Sequence, residues 1–267
     1  MNSISANLNI MIKACEKASK ILIRDFGEIE KLQVSRKGPT DFVTNADLKV
    51  EKIIIEELEK ARPNYSYISE ERGVKKNKDN DNTWIIDPID GTVNFLHGIP
   101  HFAISIGLKS KNEIISGLIY DPIKDEMFFA EKGKGAFLNN TRIRVSNKKK
   151  LKDSLIITGG PKFNSDYKNK IFEEYIKLSN VVEAPIRKFG SAALDVAYVA
   201  SGRFDGCWQW DLNYWDIAAG IVILKEAGGF LYFMENDQAK TIKQNIIASN
   251  SNIHEELKDI LVKKNIE

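Results

Sequence analysis

Two aspartates three residues apart, Asp87 and Asp90, stand in the run Trp-Ile-Ile-Asp-Pro-Ile-Asp-Gly-Thr-Val-Asn-Phe at positions 84–95. Carboxylates bind hard cations such as magnesium through oxygen. The residues after Gly91-Thr92 can start a helix, and the first backbone N–H groups of a helix attract anions such as phosphate. Trp84 to Ile86 are apolar and suit a buried strand that delivers the first carboxylate. The stretch describes a place where a metal and a phosphate meet. The same letters are also good turn chemistry, because Asp, Pro and Gly each favour turns for local reasons.

Other acids need the same double reading. Glu70-Glu71 closes a short strand at 65–69, and a strand end is where α/β proteins place ligands. A Lys/Asn/Asp-rich run at 75–82 follows, so surface charge is the plain alternative. Thr44-x-x-Asp47 has the form of a capping box with Asp in place of Glu, opening a helix that buries Val50, Ile53, Ile54 and Leu58 and closes before Pro63. Asp216 falls in the first turn of a helix predicted over 214–227, where it complements the helix dipole. Lys37, in a Gly-Pro punctuated loop or hairpin at 36–47, reads as a solvated lysine beside a turn. His97 and His101 are four apart, but Gly98 and Pro100 break any helix between them, so both read as structural or rim residues. Gly133-x-Gly135 reads as a hairpin turn and not a phosphate loop.

In chain order these pieces resemble the motifs of the inositol monophosphatase family of magnesium-dependent, lithium-sensitive phosphatases. The matching runs are Lys37-Gly38-Pro39-Thr40-Asp41-Phe42-Val43-Thr44-Asn45-Ala46-Asp47, Ser69-Glu70-Glu71, Asp87-Pro88-Ile89-Asp90-Gly91-Thr92 and Trp215-Asp216-Ile217-Ala218-Ala219-Gly220. Four motifs in order are far more specific than one, and the likeness runs from the first helix to the last strand. Asn94-Phe95-Leu96-His97-Gly98-Ile99-Pro100 and Phe189-Gly190-Ser191-Ala192-Ala193 resemble the bacterial inositol-1-monophosphatase branch.

The resemblance implies the parts. Glu70, Asp87 and the carbonyl of Ile89 would hold one magnesium ion, and Asp87, Asp90 and Asp216 a second, with a third, weaker ion near Glu70. Manganese is a possible substitute, since oxygen-only ligands favour either over zinc. Thr92 and Glu70 would position and activate the attacking water, with Asp47 behind Thr92 orienting its hydroxyl. Asp90, the N–H groups of Gly91 and Thr92, and Asp216 would face the substrate, and Lys37 would lie near the outer metal and the phosphate. Glu71 stays outside the metal shell. Gly190, Ser191 and Ala192 match a sugar-facing segment. One departure stands out: the family's glutamate seven residues before the last aspartate is Gln209 here. Gln can hydrogen-bond hydroxyls but lacks the charge, so inositol selectivity is open while the hydrolytic set is whole. Asp211 could compensate or be an unrelated surface acid.

These side chains need elements to hold them. Ile4, Leu8, Ile12, Cys15, Ala18, Leu22 and Phe26 recur at helical spacing and predict a first helix that stops at Gly27. Strands are predicted at 102–108, 114–120, 126–130 and 135–145 as an antiparallel meander. Beyond the lysines at 148–150 and 152, read as a solvated linker, strands at 155–158, 187–189, 204–210, 230–234 and 246–248 alternate with helices at 165–179, 191–201 and 214–227, and a last helix follows residue 252. Such alternation argues α/β layers. The expected class is α/β (α+β), and the resemblance implies a layered αβαβα sandwich of the sugar-phosphatase type, with an antiparallel sheet in the N-terminal half and a mixed sheet in the C-terminal half. Residues 1–147 and 148–267 form the two halves of one compact unit, the first carrying most metal ligands.

Bulk composition narrows the rest. The 267 residues are 43% hydrophobic and 28% charged with a net charge of +2, so no nucleic-acid-binding field follows from the total. Two cysteines, Cys15 and Cys207, are too few for a disulfide framework. No run approaches the roughly 18–20 apolar residues of a membrane span, and no signal-type run is seen, so a cytoplasmic address is expected. The expected function is magnesium-dependent hydrolysis of a phosphate monoester, inositol 1-phosphate first, by direct attack of water. The alternatives are fructose 1,6-bisphosphate, histidinol phosphate or 3′-phosphoadenosine 5′-phosphate, and, in another class, an RNA- or transcription-associated binding protein on the same fold. The expected partner is a small phosphorylated polyol or sugar, and homodimers are usual in the family.

Overall fold

Helix α1 (Ala6–Phe26) begins where the Ser5 hydroxyl accepts the N–H of Leu8, and it ends at Gly27 as its spacing predicts. Its apolar stripe of Leu8, Met11, Cys15, Ala18 and Leu22 is buried. It packs on α2 (Asn45–Ala61), whose Val50, Ile54 and Leu58 are buried against the same core. In this computed structural model the described residues are 4–28, 34–36, 42–160, 165–234 and 243–262; Lys37 lies outside them. Strands β1 (Val34–Arg36) and β2 (Phe42–Thr44) pair antiparallel ahead of α2.

The two helices cover one face of an eight-stranded sheet. It is formed by β3 (Ser66–Ser69), β4 (Gly73–Lys75), β5 (Asn82–Asp90), β6 (Ala103–Ser110), β7 (Glu113–Asp121), β8 (Glu126–Glu131), β9 (Gly135–Leu138) and β10 (Thr141–Ile143), in the order β10-β9-β8-β7-β6-β5-β3-β4. The expected all-antiparallel description is corrected at one pair: β3 and β5 run parallel, with Ser69 opposite Ile86. Strand β4 folds back on the outer edge of β3, which leaves the inner edge open to β5. The parallel pair brings the carboxyl ends of β3 and β5 to one end of the sheet. The predicted strand at 135–145 is a hairpin of two, turned at Asn139, a residue type that tolerates the left-handed φ of 51° found there. The Gly133-x-Gly135 turn joins β8 to β9, and its two glycine N–H groups each donate to the Glu226 carboxylate at 2.7 Å.

On the opposite face lie α5 (Ala192–Ala200) and α6 (Tyr214–Glu226). Helix α6 is buried almost all round and sits close on the sheet because glycines lie beneath it. A Cβ on Gly117 would fall 2.4 Å from the carbonyl oxygen of Ala219, and one on Gly107 would fall 3.1 Å from the Ala218 Cβ. Beyond this helical layer is a second, mixed sheet of β11 (Ile156–Thr158), β12 (Gly206–Leu212), β14 (Gln244–Ser249) and β13 (Phe230–Phe233). Its far face is covered by α4 (Lys168–Ser179) and α7 (His254–Val262) around Trp208, Trp210, Ile247 and Leu257. The order of layers is αβαβα, as expected. The strand predicted at 187–189 is a single bridge between Arg187 and Ile157. Among the described residues no helix is long and apolar enough to cross a membrane.

Candidate metal and phosphate site

The site grows from a bulge. Strand β5 is buried from Trp84 through Asp90, and its pairing with β6 shifts by one residue between Asp87 and Asp90. Pro88 sits in this shift, where a missing N–H costs no ladder hydrogen bond. The Asp87 carboxylate accepts the N–H of Ile89 at 3.0 Å, which turns the backbone. The chain then passes Gly91 at φ 102° and enters the short helix α3 (Thr92–Leu96). Glycine is required at 91: a Cβ would meet the carbonyl oxygens of His101 at 3.1 Å and Gly190 at 3.3 Å.

The predicted acids arrive from the end of β3, from β5, which carries both Asp87 and Asp90, and from the first turn of α6. Glu70 follows β3, and its N–H donates to Ile86, one residue before Asp87 in the parallel neighbour. The Asp90 carboxylate is held from the second half, accepting the Ser191 hydroxyl at 2.5 Å and the Ala193 N–H at 2.7 Å at the start of α5. Asp216 closes a capping box with Asn213, whose N–H donates to it at 2.8 Å. Capping and ligation can be served by the two oxygens of one carboxylate. Thr92 Oγ1 donates to the Ile89 carbonyl at 3.0 Å and lies 3.4 Å from Asp47 Oδ1, so its hydroxyl is held between two acceptors. Asp47 itself is fully buried.

Glu70, Asp87, Ile89, Asp90, Gly91, Thr92, Gly190, Ser191, Ala192, Gln209 and Asp216 all line one cavity of about 730 Å³. Asp47 stands behind Thr92 and does not line it. Burial raises the Asp87 carboxyl well above the usual range, and the charges of Glu70, Asp90 and Asp216 and a hydrogen bond with Glu70 push it the same way. A set of oxygen donors that repel one another in a buried pocket fits a hard divalent cation in both charge and chemistry. Among the described residues no three His, Cys, Asp or Glu side chains stand together as a ready metal-holding group, and the family resemblance adds the carbonyl of Ile89 as an expected further donor.

Several residues fall elsewhere. Glu71 donates its N–H to the buried Glu51 carboxylate and does not line the pocket. Asp211 is neither a compensating acid nor a surface acid. It is 8% exposed, takes the bulge of β12 at φ 57°, and accepts the Ser165 hydroxyl. His97 caps α3 at its exposed end. His101 packs edge-on to Phe189 and Tyr198, and burial lowers its pKa to about 4. Asn94 has a role that sequence reasoning missed: its amide donates to the carbonyls of His101 at 2.8 Å and Phe189 at 2.7 Å, tying the Gly190 segment to α3. Asp195 was missed as well, although a lone acid within the apolar helix Ala192–Ala200 is the kind of signal that marks a buried, partnered charge.

Layered αβαβα architecture with an oxygen-donor pocket at the carboxyl ends of β3 and β5 defines a phosphatase of the sugar-phosphatase type. The model described as the inositol monophosphatase family matches residues 5–265, and the chain belongs to that family. It is 48% identical over 257 residues to the inositol-1-monophosphatase of Rhizobium meliloti (strain 1021), covering 96% of each chain. It is 40% identical over 253 residues to the Nus factor SuhB of Haemophilus influenzae, covering 94% of this chain and 93% of that one. Its structure resembles that of the extragenic suppressor protein suhB from Bartonella henselae with a TM-score of 0.92 at 48% identity, covering 98% of this chain and 100% of the other.

Proposed function

We propose that the protein hydrolyses a phosphate monoester with magnesium, and that its substrate is inositol 1-phosphate. The observation that carries this is the gathering of Glu70, Asp87, Ile89, Asp90, Thr92 and Asp216, from three separate stretches, on one pocket. Glu70, Asp87 and the Ile89 carbonyl would hold one ion, and Asp87, Asp90 and Asp216 another; a third near Glu70 and replacement by manganese belong to the same reading. Bound divalent ions supply neutralisation of phosphate oxygens, acidification of water and stabilisation of the leaving oxygen. The chain's own groups do the rest. Thr92 and Glu70 place the attacking water, and Asp47 and the Ile89 carbonyl fix the direction of the Thr92 hydroxyl. The N–H groups of Gly91 and Thr92 face the phosphate. Gly190, Ser191, Ala192 and Gln209 face the alcohol portion. Lithium sensitivity, a homodimer and a cytoplasmic address are part of the proposal.

The test is phosphate release from inositol 1-phosphate, fructose 1,6-bisphosphate, histidinol phosphate and 3′-phosphoadenosine 5′-phosphate, with magnesium and with chelator. Magnesium-dependent release strongest on inositol 1-phosphate is expected. Strongest release on another ester replaces the substrate and keeps the chemistry, whereas no release from any removes the hydrolase reading. The Haemophilus relative's name favours a second reading, association with transcription, through the exposed lysines at 148–150. RNA binding that persists in an Asp90→Asn variant is the result that would support it.

A further inference from the structure

Strand β12 alternates its side chains between two layers. Trp208 and Trp210 join the core under α4 and α7, while Cys207 joins the core with α5. Gln209 has the parity of Cys207, and it meets Asp195 of α5. The two side chains are 2% and 1% exposed. Gln209 Nε2 donates to Asp195 Oδ2 at 2.5 Å, and the other oxygen, Oδ1, is buried without a hydrogen-bond partner. Burial pushes the Asp195 carboxyl up, the charge of Asp90 adds to this, and the Gln209 bond opposes it.

The other end of the amide is equally constrained. Gln209 Oε1 lies against Gly159, where a Cβ would fall 2.1 Å from it. Gly159 and Gln209 both line the pocket. The amide is therefore gripped by its nitrogen in the layer behind and passes through a gap that only glycine leaves open. One N–H of the amide is committed to Asp195, and the carbonyl oxygen, set against Gly159 at the pocket wall, is the acceptor it offers to whatever enters.

We propose that Asp195 is a positioning residue that, together with Gly159, orients the Gln209 amide so that its carbonyl oxygen accepts a hydrogen bond from a substrate hydroxyl. This rests on the phosphatase reading and deepens it: the wall selects phosphate esters whose alcohol carries a further hydroxyl donor. A site built to hydrogen-bond a hydroxyl rejects analogues that lack it, because its buried polar group is left unpaired.

The experiment compares inositol 1-phosphate with 4-nitrophenyl phosphate, an ester without hydroxyls, in magnesium. Asp195→Ala removes the acceptor that holds Nε2. Asp195→Asn keeps an acceptor oxygen and is the conservative rescue. Gly159→Ala displaces the amide from the other side, and its methyl meets only the end of the Gln209 side chain. Asp195→Ala and Gly159→Ala should each raise KM for inositol 1-phosphate about tenfold, with kcat held, as expected for the loss of one oriented hydrogen bond. The same variants should change kcat/KM for the aryl ester less than about threefold, and Asp195→Asn should stay near wild type on both. Equal losses on the two esters, or a fall in kcat alone, would mean that Asp195 serves only the fold and would overturn the inference. Should Asp195→Ala not fold, Gly159→Ala decides by the same readouts. Wild-type release from the aryl ester but not from the polyol ester overturns the inference and leaves the phosphatase reading standing; release from neither overturns both.

Discussion

On one wall of the pocket Glu70, Asp87, Asp90 and Asp216 crowd like charges, and Asp87 is driven upward by burial and by the other three. On the other wall a single amide, Gln209, meets a single buried carboxylate, Asp195. The first arrangement is unfavourable until a cation or a proton arrives, because burial penalises each charge and the neighbours repel it. The second pairs one amide donor with one carboxylate oxygen, although the other oxygen of Asp195 is buried without a partner. In the proposed function, affinity for ions and choice of alcohol would rest on opposite electrostatics, and each could be altered separately.

Removing a charge from the crowded wall should have the largest effect. Asp90→Asn keeps an oxygen for Ser191 and Ala193, so the junction between α5 and β5 is retained. Magnesium-dependent release should fall by roughly 10²–10³-fold or more, while circular dichroism and melting stay near wild type. Wild-type turnover in this variant would take Asp90 out of the ion-binding set. Thr92→Val comes next. It preserves shape but deletes the hydroxyl held between Ile89 and Asp47. A loss in kcat of about 10²-fold is expected for a misplaced water, with KM little changed. A rise in KM at constant kcat would instead make Thr92 a binding group.

Depth of the walls is set by packing, which a third change probes. Gly117→Ala puts a methyl 2.4 Å from a backbone carbonyl of α6, the helix that carries Asp216. Overpacking of this kind costs about 2–3 kcal/mol, readable as a shift in urea midpoint. If the midpoint is unchanged, α6 can slide on the sheet and does not fix Asp216 in depth.

The two walls also differed in how well the sequence announced them. Asp87, Ile89, Asp90 and Thr92 fall within six residues, and Glu70 and Asp216 end or begin their own elements; local chemistry marked them as candidates beside turn, surface and capping readings, and the family resemblance gathered them into one charged wall. The five layers followed from alternating strands and helices and from the family likeness. What stayed hidden depends on contacts between distant segments. The parallel pairing of β3 with β5 reflects which edge β4 leaves open, a competition no local pattern records. Asn94 acts through Phe189, 95 residues away. Asp195 and Gln209 meet because a helix and a strand are stacked, and Asp211 turns inward because of a bulge that its own letters do not signal.

Behind the wall bearing Gln209 lies a second buried carboxylate that sharpens the contrast. Glu174 of α4 accepts the indole N–H of Trp210 at 2.7 Å, on the face of β12 opposite Gln209, and Lys170 Nζ stands 4.5 Å above the Trp210 ring. Burial raises its pKa from the ordinary 4.5 to about 7, against the Trp210 hydrogen bond and the lysines that lower it. Between those values the folded chain binds more protons at this site than the unfolded chain. Stability from this group is therefore highest at low pH and falls as pH rises through about 7. Glu174→Gln keeps an oxygen for Trp210 and cannot ionise. Its melting temperature should decline less than that of wild type between about pH 5 and about pH 8, and should equal or exceed it at the upper end. Parallel curves would show that water or movement of α4 already relieves the charge, and that the wall bearing Gln209 rests on a softer support than its packing implies.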